Sequence, residues 1–201
     1  MTLREIADRA QEDETIISDA EFRREKLPGG EWSRLEFQNV TFRDCVFDEG
    51  NFYKASFYSC CFESCSLANC SLRESYWRDC EISGCKCNGA DFQNSHIKNS
   101  QFANSSFLYA GFSECSLDHV ELKDLDCSNA SFHQVKLKKT GFHGLKLTEA
   151  EFFRTPLKGM DLSDCGLEGL IVSESMYELK GMIISTIQAP DIARMLGVRI
   201  Q

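Results

Sequence analysis

The chain has 201 residues, 42% of them hydrophobic, which is enough for one sizeable core, and its net charge is −9 with a pI near 5.0. That balance excludes a simple phosphate-gripping nucleic-acid binder, which would be basic, and no run of eighteen apolar residues suggests a membrane span. The N-terminus lacks the apolar stretch of a signal peptide, so we expect a soluble cytoplasmic protein with reduced thiols.

Residues 1–19 read as a helical cap or arm. "TLRE" forms a capping box of Thr2 and Glu5, and Leu3, Ile6, Ala7 and Ala10 share one helical face.

From residue 20 to about 174 one period governs the chain. Every position numbered with a final 2 or 7 from Phe22 to Val172 is apolar; fourteen of the fifteen Phe and both Trp fall there. Call that position i. At i−2 the residues are mostly small, and eight of the eleven Cys sit there; Cys87 and Cys127 sit at i, and only Cys61 falls outside. The stretch "CCFESCSLANC" therefore follows the period rather than a metal-ligand spacing, since no C-x2-C pair occurs and an odd cysteine total suits no fully paired disulfide framework. The thiols are expected as small buried hydrophobes.

A five-residue interval fits neither regular element. It would spiral around a helix, and it would alternate between the two sides of a straight strand. A chain that bends after every five residues keeps i and i−2 inside. At i+2, sixteen of 31 residues are Gly, Asn or Asp, the residues that best tolerate such turns.

Segments such as "ADFQN" (90–94), "CSLAN" (65–69), "AGFSE" (110–114) and "ASFHQ" (130–134) resemble the pentapeptide-repeat motif A-[DN]-[LF]-x-x. The resemblance implies an all-β solenoid, a right-handed quadrilateral β-helix with four pentapeptides per coil. Nearly eight coils at about 4.8 Å each would make a rod about 37 Å long.

Residues 175–201 leave the register and read as a C-terminal cap: a short strand near Met182–Ile184, then a helix from Pro190 to about Leu196, stopped by Gly197. The passage resembles the C-terminal segment of pentapeptide-repeat proteins of the Qnr and MfpA type. That resemblance implies a homodimer, with Leu179, Ile187, Ile192, Met195, Leu196 and Ile200 as the apolar contact.

Chemistry is sparse. His96, His119, His133 and His143 are all outward, and no hydrolase, phosphate-loop, dinucleotide or zinc-protease motif occurs. We expect no enzyme, no metal and no cofactor. The charge is instead polarised around the rod. The face through Phe22, Phe42 and Phe62 carries Glu21, Asp44, Glu63, Glu81, Glu121, Asp124, Asp161 and Asp164 against four bases. The face through Leu27 and Phe47 nets −3, that through Trp32 and Phe52 nets −2, and the fourth, through Phe37 and Phe57, nets +3 with Lys136, Lys138, Lys139 and Lys158 toward its C-terminal end. Tyr58 and Tyr76 on the fourth face are expected to pack between coils.

The resemblance implies a DNA mimic that binds DNA gyrase and topoisomerase IV, inhibiting supercoiling or protecting against quinolones, without binding nucleic acid itself. The eight carboxylates of the first face would then replace phosphates. The alternative is a structural or interaction scaffold with an unrelated protein partner.

Overall fold

The computed structural model describes residues 2–199. Helix α1 (Leu3–Asp13) opens the chain, held by reciprocal hydrogen bonds between Thr2 and Glu5, and it buries Leu3, Ala7 and Ala10 against the first coil. Strand β1 (Ile17–Arg23) follows, three residues ahead of the expected first repeat, because Ile17 already occupies an inward position and pairs with Phe37.

The body is a parallel β-solenoid. Each residue pairs with the one twenty further on: Phe37 with Phe57, Phe42 with Phe62, Val46 with Ser66, Asn51 with Ser71. Those four ladders are the four sides of the rod. On the first and fourth sides the ladder consists of strands, beginning with the long β2 (Glu36–Arg43) that turns the corner between them and climbing about six turns from there. On the second and third sides it consists of single bridges; the second runs Lys26, Val46, Ser66, Lys86, Ser106, Asp126, Lys146 and Gly166, eight rungs.

The interior is what the period demands. Of the 31 positions i, all but Leu27, Leu137 and Val172 are buried. Their rings stack coil on coil: Phe37 on Phe57 at 5.2 Å, Phe57 on Trp77 at 4.1 Å, and Phe92, Phe112, Phe132 and Phe152 in a run at 5.0, 5.1 and 4.8 Å. Rings one rung apart can meet face to face in this offset geometry, which adds to the gain from burial alone.

The corner after each i falls at i+2, where from Arg24 to Gly169 the backbone takes a left-handed conformation at every position but Asp164, whatever residue is there. Asn94 (φ 60°) suits it; Tyr109 (58°) and Arg154 (57°) do not, and are carried by the register around them.

Cysteine at i−2 has a positive role as well as a fitting volume. Its thiol donates to the carbonyl of the residue 23 earlier: Cys60 to Phe37 O at 3.4 Å, Cys65 to Phe42 O at 3.3 Å, Cys80 to Phe57 O at 3.3 Å, Cys85 to Phe62 O at 3.3 Å. Ser95 and Thr155 make the same bond to Leu72 O and Phe132 O. Where the i−2 residue is Cys, and at Ser95 and Thr155, the side chain thus gives its proton to the coil before it. Burial pushes the Cys70 and Cys115 thiols up to about 12, so they stay protonated donors rather than thiolates. Ten of the eleven cysteines are buried; Cys61, the residue outside the pattern, is half-exposed.

The C-terminal cap contains a single helical turn (Tyr177–Leu179), a bridge from Ile183 to Asp161, and helix α2 (Ala189–Met195), with Gly197 at φ 76° beyond it. No helix among the described residues is long and apolar enough to cross a membrane.

Candidate partner-binding face

The first side presents three outward columns, set by the twenty-residue register. Glu21, Glu81, Glu121 and Asp161 share one, Glu63 lies in the second, and Asp44, Asp124 and Asp164 share the third. The structure divides these eight carboxylates into two groups.

Toward the N-terminus Glu21 and Glu63 are neutralised, while Asp44 forms no ion pair among the described residues. Arg43 Nε donates to Glu21 Oε1 at 2.8 Å while its Nη1 pairs with Glu63, and Arg23 reaches Glu21 at 2.8 Å. The Arg23 hydrogen bond, backed by Arg43, holds the Glu21 carboxyl below its usual value. Sequence reading missed this network, although Arg43 lies in the same column as Arg23 and Glu63, one rung from each.

Toward the C-terminus the carboxylates are open. Glu81, Asp124 and Asp164 form no ion pair among the described residues, and Glu121 meets only the His143 ring at 3.1 Å. Hydrogen bonds from Ser163 hold the Asp161 carboxyl below its usual value. Gly141 and Gly144 occupy the rung between; a Cβ at Gly141 would collide with the Glu121 carboxylate, and one at Gly144 with Asp124 Oδ1. The carboxylates therefore recur every second rung, about 9.6 Å apart along a column. Five of them over four rungs give about one charge per 4 Å, sparser than the one per 1.7 Å of duplex DNA.

The fourth side is the electrostatic opposite. Lys138 is paired with Asp118 at 3.0 Å, whereas Lys136, Lys139 and Lys158 have no carboxylate partner among the described residues. Tyr58 and Tyr76 lie ring to ring at 5.5 Å across adjacent coils. The four histidines are outward or at the corners, and no group of three or more His, Cys, Asp or Glu suited to a metal ion occurs among the described residues.

At the C-terminal end of the rod, Ile187 is 85% and Leu196 64% exposed, joined by Ile183 and Val198 at about half. Leu179, Ile192 and Met195 instead pack partly against the core, and Ile200 lies outside the described residues. Two polar residues that sequence reading passed over close the open backbone edge beneath. Gln188 is buried, its Nε2 donating to the carbonyls of Leu162 and Cys165 at 2.7 and 2.5 Å. Glu178 is fully buried and accepts from Arg154 N–H at 3.0 Å and Ser173 Oγ at 2.7 Å.

Comparison with known proteins agrees with this architecture. Residues 55–132 match the profile of the pentapeptide repeat region, and residues 36–73 and 115–152 that of the pentapeptide repeats in eight copies. Among solved structures, two trypsin-treated variants of QnrB1, a plasmid-mediated fluoroquinolone resistance protein, align over 93% and 91% of this chain and 100% of theirs, at 20% and 21% identity, with TM-scores of 0.63 and 0.53. HetL, a pentapeptide repeat protein involved in heterocyst differentiation regulation from the cyanobacterium Nostoc sp. strain PCC 7120, aligns over 92% of this chain and 97% of its own at 13% identity, but its TM-score of 0.35 is too low to argue from. At these identities the QnrB1 likeness is one of fold. No curated protein matches the sequence significantly. The repeat profiles together cover residues 36–152, more than half the chain, and the protein belongs to the pentapeptide-repeat family.

Proposed function

We propose that the protein acts by binding rather than by catalysis, as a DNA mimic that occupies the DNA-binding surface of a type II topoisomerase, DNA gyrase or topoisomerase IV, and inhibits it. The observation that carries this reading is the carboxylate array Glu81, Glu121, Asp124, Asp161 and Asp164, free of lysine and arginine partners among the described residues, on one side of a stiff, regular rod. An enzyme groove that is basic enough to hold DNA attracts such a face, and long-range attraction raises the rate of encounter. The fold likeness to QnrB1, a fluoroquinolone resistance protein, is in keeping with this reading. Glu21, Asp44 and Glu63 contribute less, because two of the three are already paired with arginine.

The exposed apolar residues Ile187 and Leu196 are suited to join two rods end to end, with Leu179, Ile192 and Met195 packed partly against the core. A dimer would double the length of the acidic face. Inhibition is better supported than quinolone protection, since the twenty-residue register leaves no projecting loop.

The test is a gyrase supercoiling assay with purified protein at low and moderate salt, with and without a quinolone. Inhibition weakened by salt and by the double change Glu121→Lys with Asp124→Lys is the expected result. The same double change leaving inhibition intact, or no effect on gyrase or topoisomerase IV, would favour the second reading. In that reading the rod is an interaction scaffold whose basic fourth side, a poor copy of DNA, meets an unrelated protein.

A further inference from the structure

The interior of the rod is sealed almost throughout. Between residues 30 and 170, every position i and i−2 is buried except Leu137, Thr140 and Met160. These three are not scattered. They line one notch at the corner of the fourth and first sides, together with Lys139, Gly141, Phe142, His143, Lys158, Gly159 and Asp161, enclosing about 360 Å³.

The backbone explains the opening. On the fourth side, each carbonyl at i−2 accepts from the N–H of the residue 21 later: Leu35 from Ser56, Ala55 from Tyr76, Ser75 from His96, Ser95 from Ser116, Cys115 from Lys136. The next in line, Val135, faces Pro156, which has no N–H. The ladder parts there and does not close again until the second side, where Gly166 N–H returns to Leu145 O at 2.8 Å. Across the gap, the amides of Lys139, Gly144 and Asp161 have no hydrogen-bond partner among the described residues, whereas their counterparts one coil earlier, His119, Asp124 and Gly141, are bonded at 2.9, 2.8 and 2.9 Å. The segment 157–162 instead bonds onward to the cap, through Glu178, Gly181 and Ile183 carbonyls.

The notch thus combines three features: unpaired backbone groups at a strand edge, partly exposed apolar side chains that the register would otherwise hide, and a rim with two lysines free of carboxylate partners among the described residues, Lys139 and Lys158. We infer that this notch is a docking site for an extended acidic segment of a partner protein, bound by strand addition. Its backbone would pair with the parted edge, an apolar side chain would cover Leu137 and Met160, and its carboxylates would face Lys139 and Lys158. Asp161, the acid on the rim, is turned toward the Ser163 amide rather than the lysines. The notch borders the carboxylate array and shares Asp161 with it, but its two free lysines give it the opposite charge, and it does not depend on a topoisomerase partner.

The experiment is fluorescence polarisation with a labelled peptide of alternating Glu and Val, measured against the intact protein and its Lys139→Glu, Lys158→Glu and Lys98→Glu variants. Lys98 is on the same basic side, two coils before the notch. We expect the two notch variants each to weaken binding about tenfold or more, equivalent to about 1.4 kcal/mol, and Lys98→Glu to change it less than about twofold. Because all three positions are exposed, the variants should fold. Absence of binding would overturn the inference. So would equal losses at Lys98 and the notch lysines, or equal binding of a peptide with Lys in place of Glu.

Discussion

The body of the rod and its final coil are built from the same five-residue pattern but differ in how completely they close. From Trp32 to Phe132 every inward side chain is sealed and every rung is bonded to the next; from Pro156 onward two sides of the coil hang from the cap rather than from the body. The difference teaches that hydrophobic pattern alone does not make a solenoid. The position i−1 carries a hidden requirement, since its N–H is the donor to the preceding coil on each side, and one proline there opens a coil whose pattern of i residues, Leu157, Leu162 and Leu167, is otherwise intact.

The comparison predicts its largest effect in the core. Phe132 is fully buried and stacked on both Phe112 and Phe152. Phe132→Ala should cost about 3–5 kcal/mol through lost burial and a cavity that a stacked interior cannot collapse around. Leu137→Ala, five residues later but at the notch, should cost about 1–2 kcal/mol, because its side chain is already partly in water. Equal losses in chemical denaturation would break the distinction between sealed body and parted coil.

The cap sets the next effect. The Glu178 carboxyl is held below its usual value of 4.5: burial alone would raise it, but hydrogen bonds from Ser173 and the Arg154 amide outweigh that. A depressed carboxyl stabilises the fold above its unfolded value, and the contribution is lost as pH falls through the folded one. Glu178→Gln should therefore cost about 1–3 kcal/mol near neutral pH, since the amide brings an unwanted donor against the Arg154 N–H. The gap between variant and parent should shrink as pH falls below about 4.5, once the parent carboxyl is protonated. Thermal melts of both proteins from about pH 7 to about pH 3 would show it; a pH-independent difference would mean that Glu178 acts by packing.

How much of this was legible beforehand follows the same division. The period at i, the small residues at i−2 and the turn-forming residues at i+2 predicted the core and the corners, because each of these depends only on residues a few places apart; the twenty-residue register was implied by the resemblance to pentapeptide repeats. The Thr2–Glu5 box and Gly197 were legible for the same reason. The carboxylates were found, but not their state: Arg43 reaches Glu21 and Glu63 across coils, and only the twenty-residue stacking brings those three together. Glu178 and Gln188 looked like surface residues in a stretch without period, and their burial depends on which backbone groups the last coil leaves open. Pro156 was visible and its consequence was derivable, once i−1 is recognised as the ladder donor.

The smallest expected change in stability tests that point most directly. Pro156→Ser places at this rung the residue found at the equivalent Ser56 and Ser116, and supplies the N–H that Val135 O lacks. The new hydrogen bond should contribute about 1 kcal/mol, while loss of the proline's restriction on the unfolded chain should remove about 0.4–1 kcal/mol, so the melting temperature should hardly move. The informative quantity is local. If the proline is what parts the ladder, the Lys139 and Asp161 amides, unpaired in the parent, should become protected from hydrogen exchange toward the level of His119 and Gly141 one coil earlier. The notch should narrow with them, exposing less of Leu137 and Met160. If those amides exchange as fast as before, the pull of Glu178, Gly181 and Ile183 on the last coil, and not the missing donor, holds the coils apart.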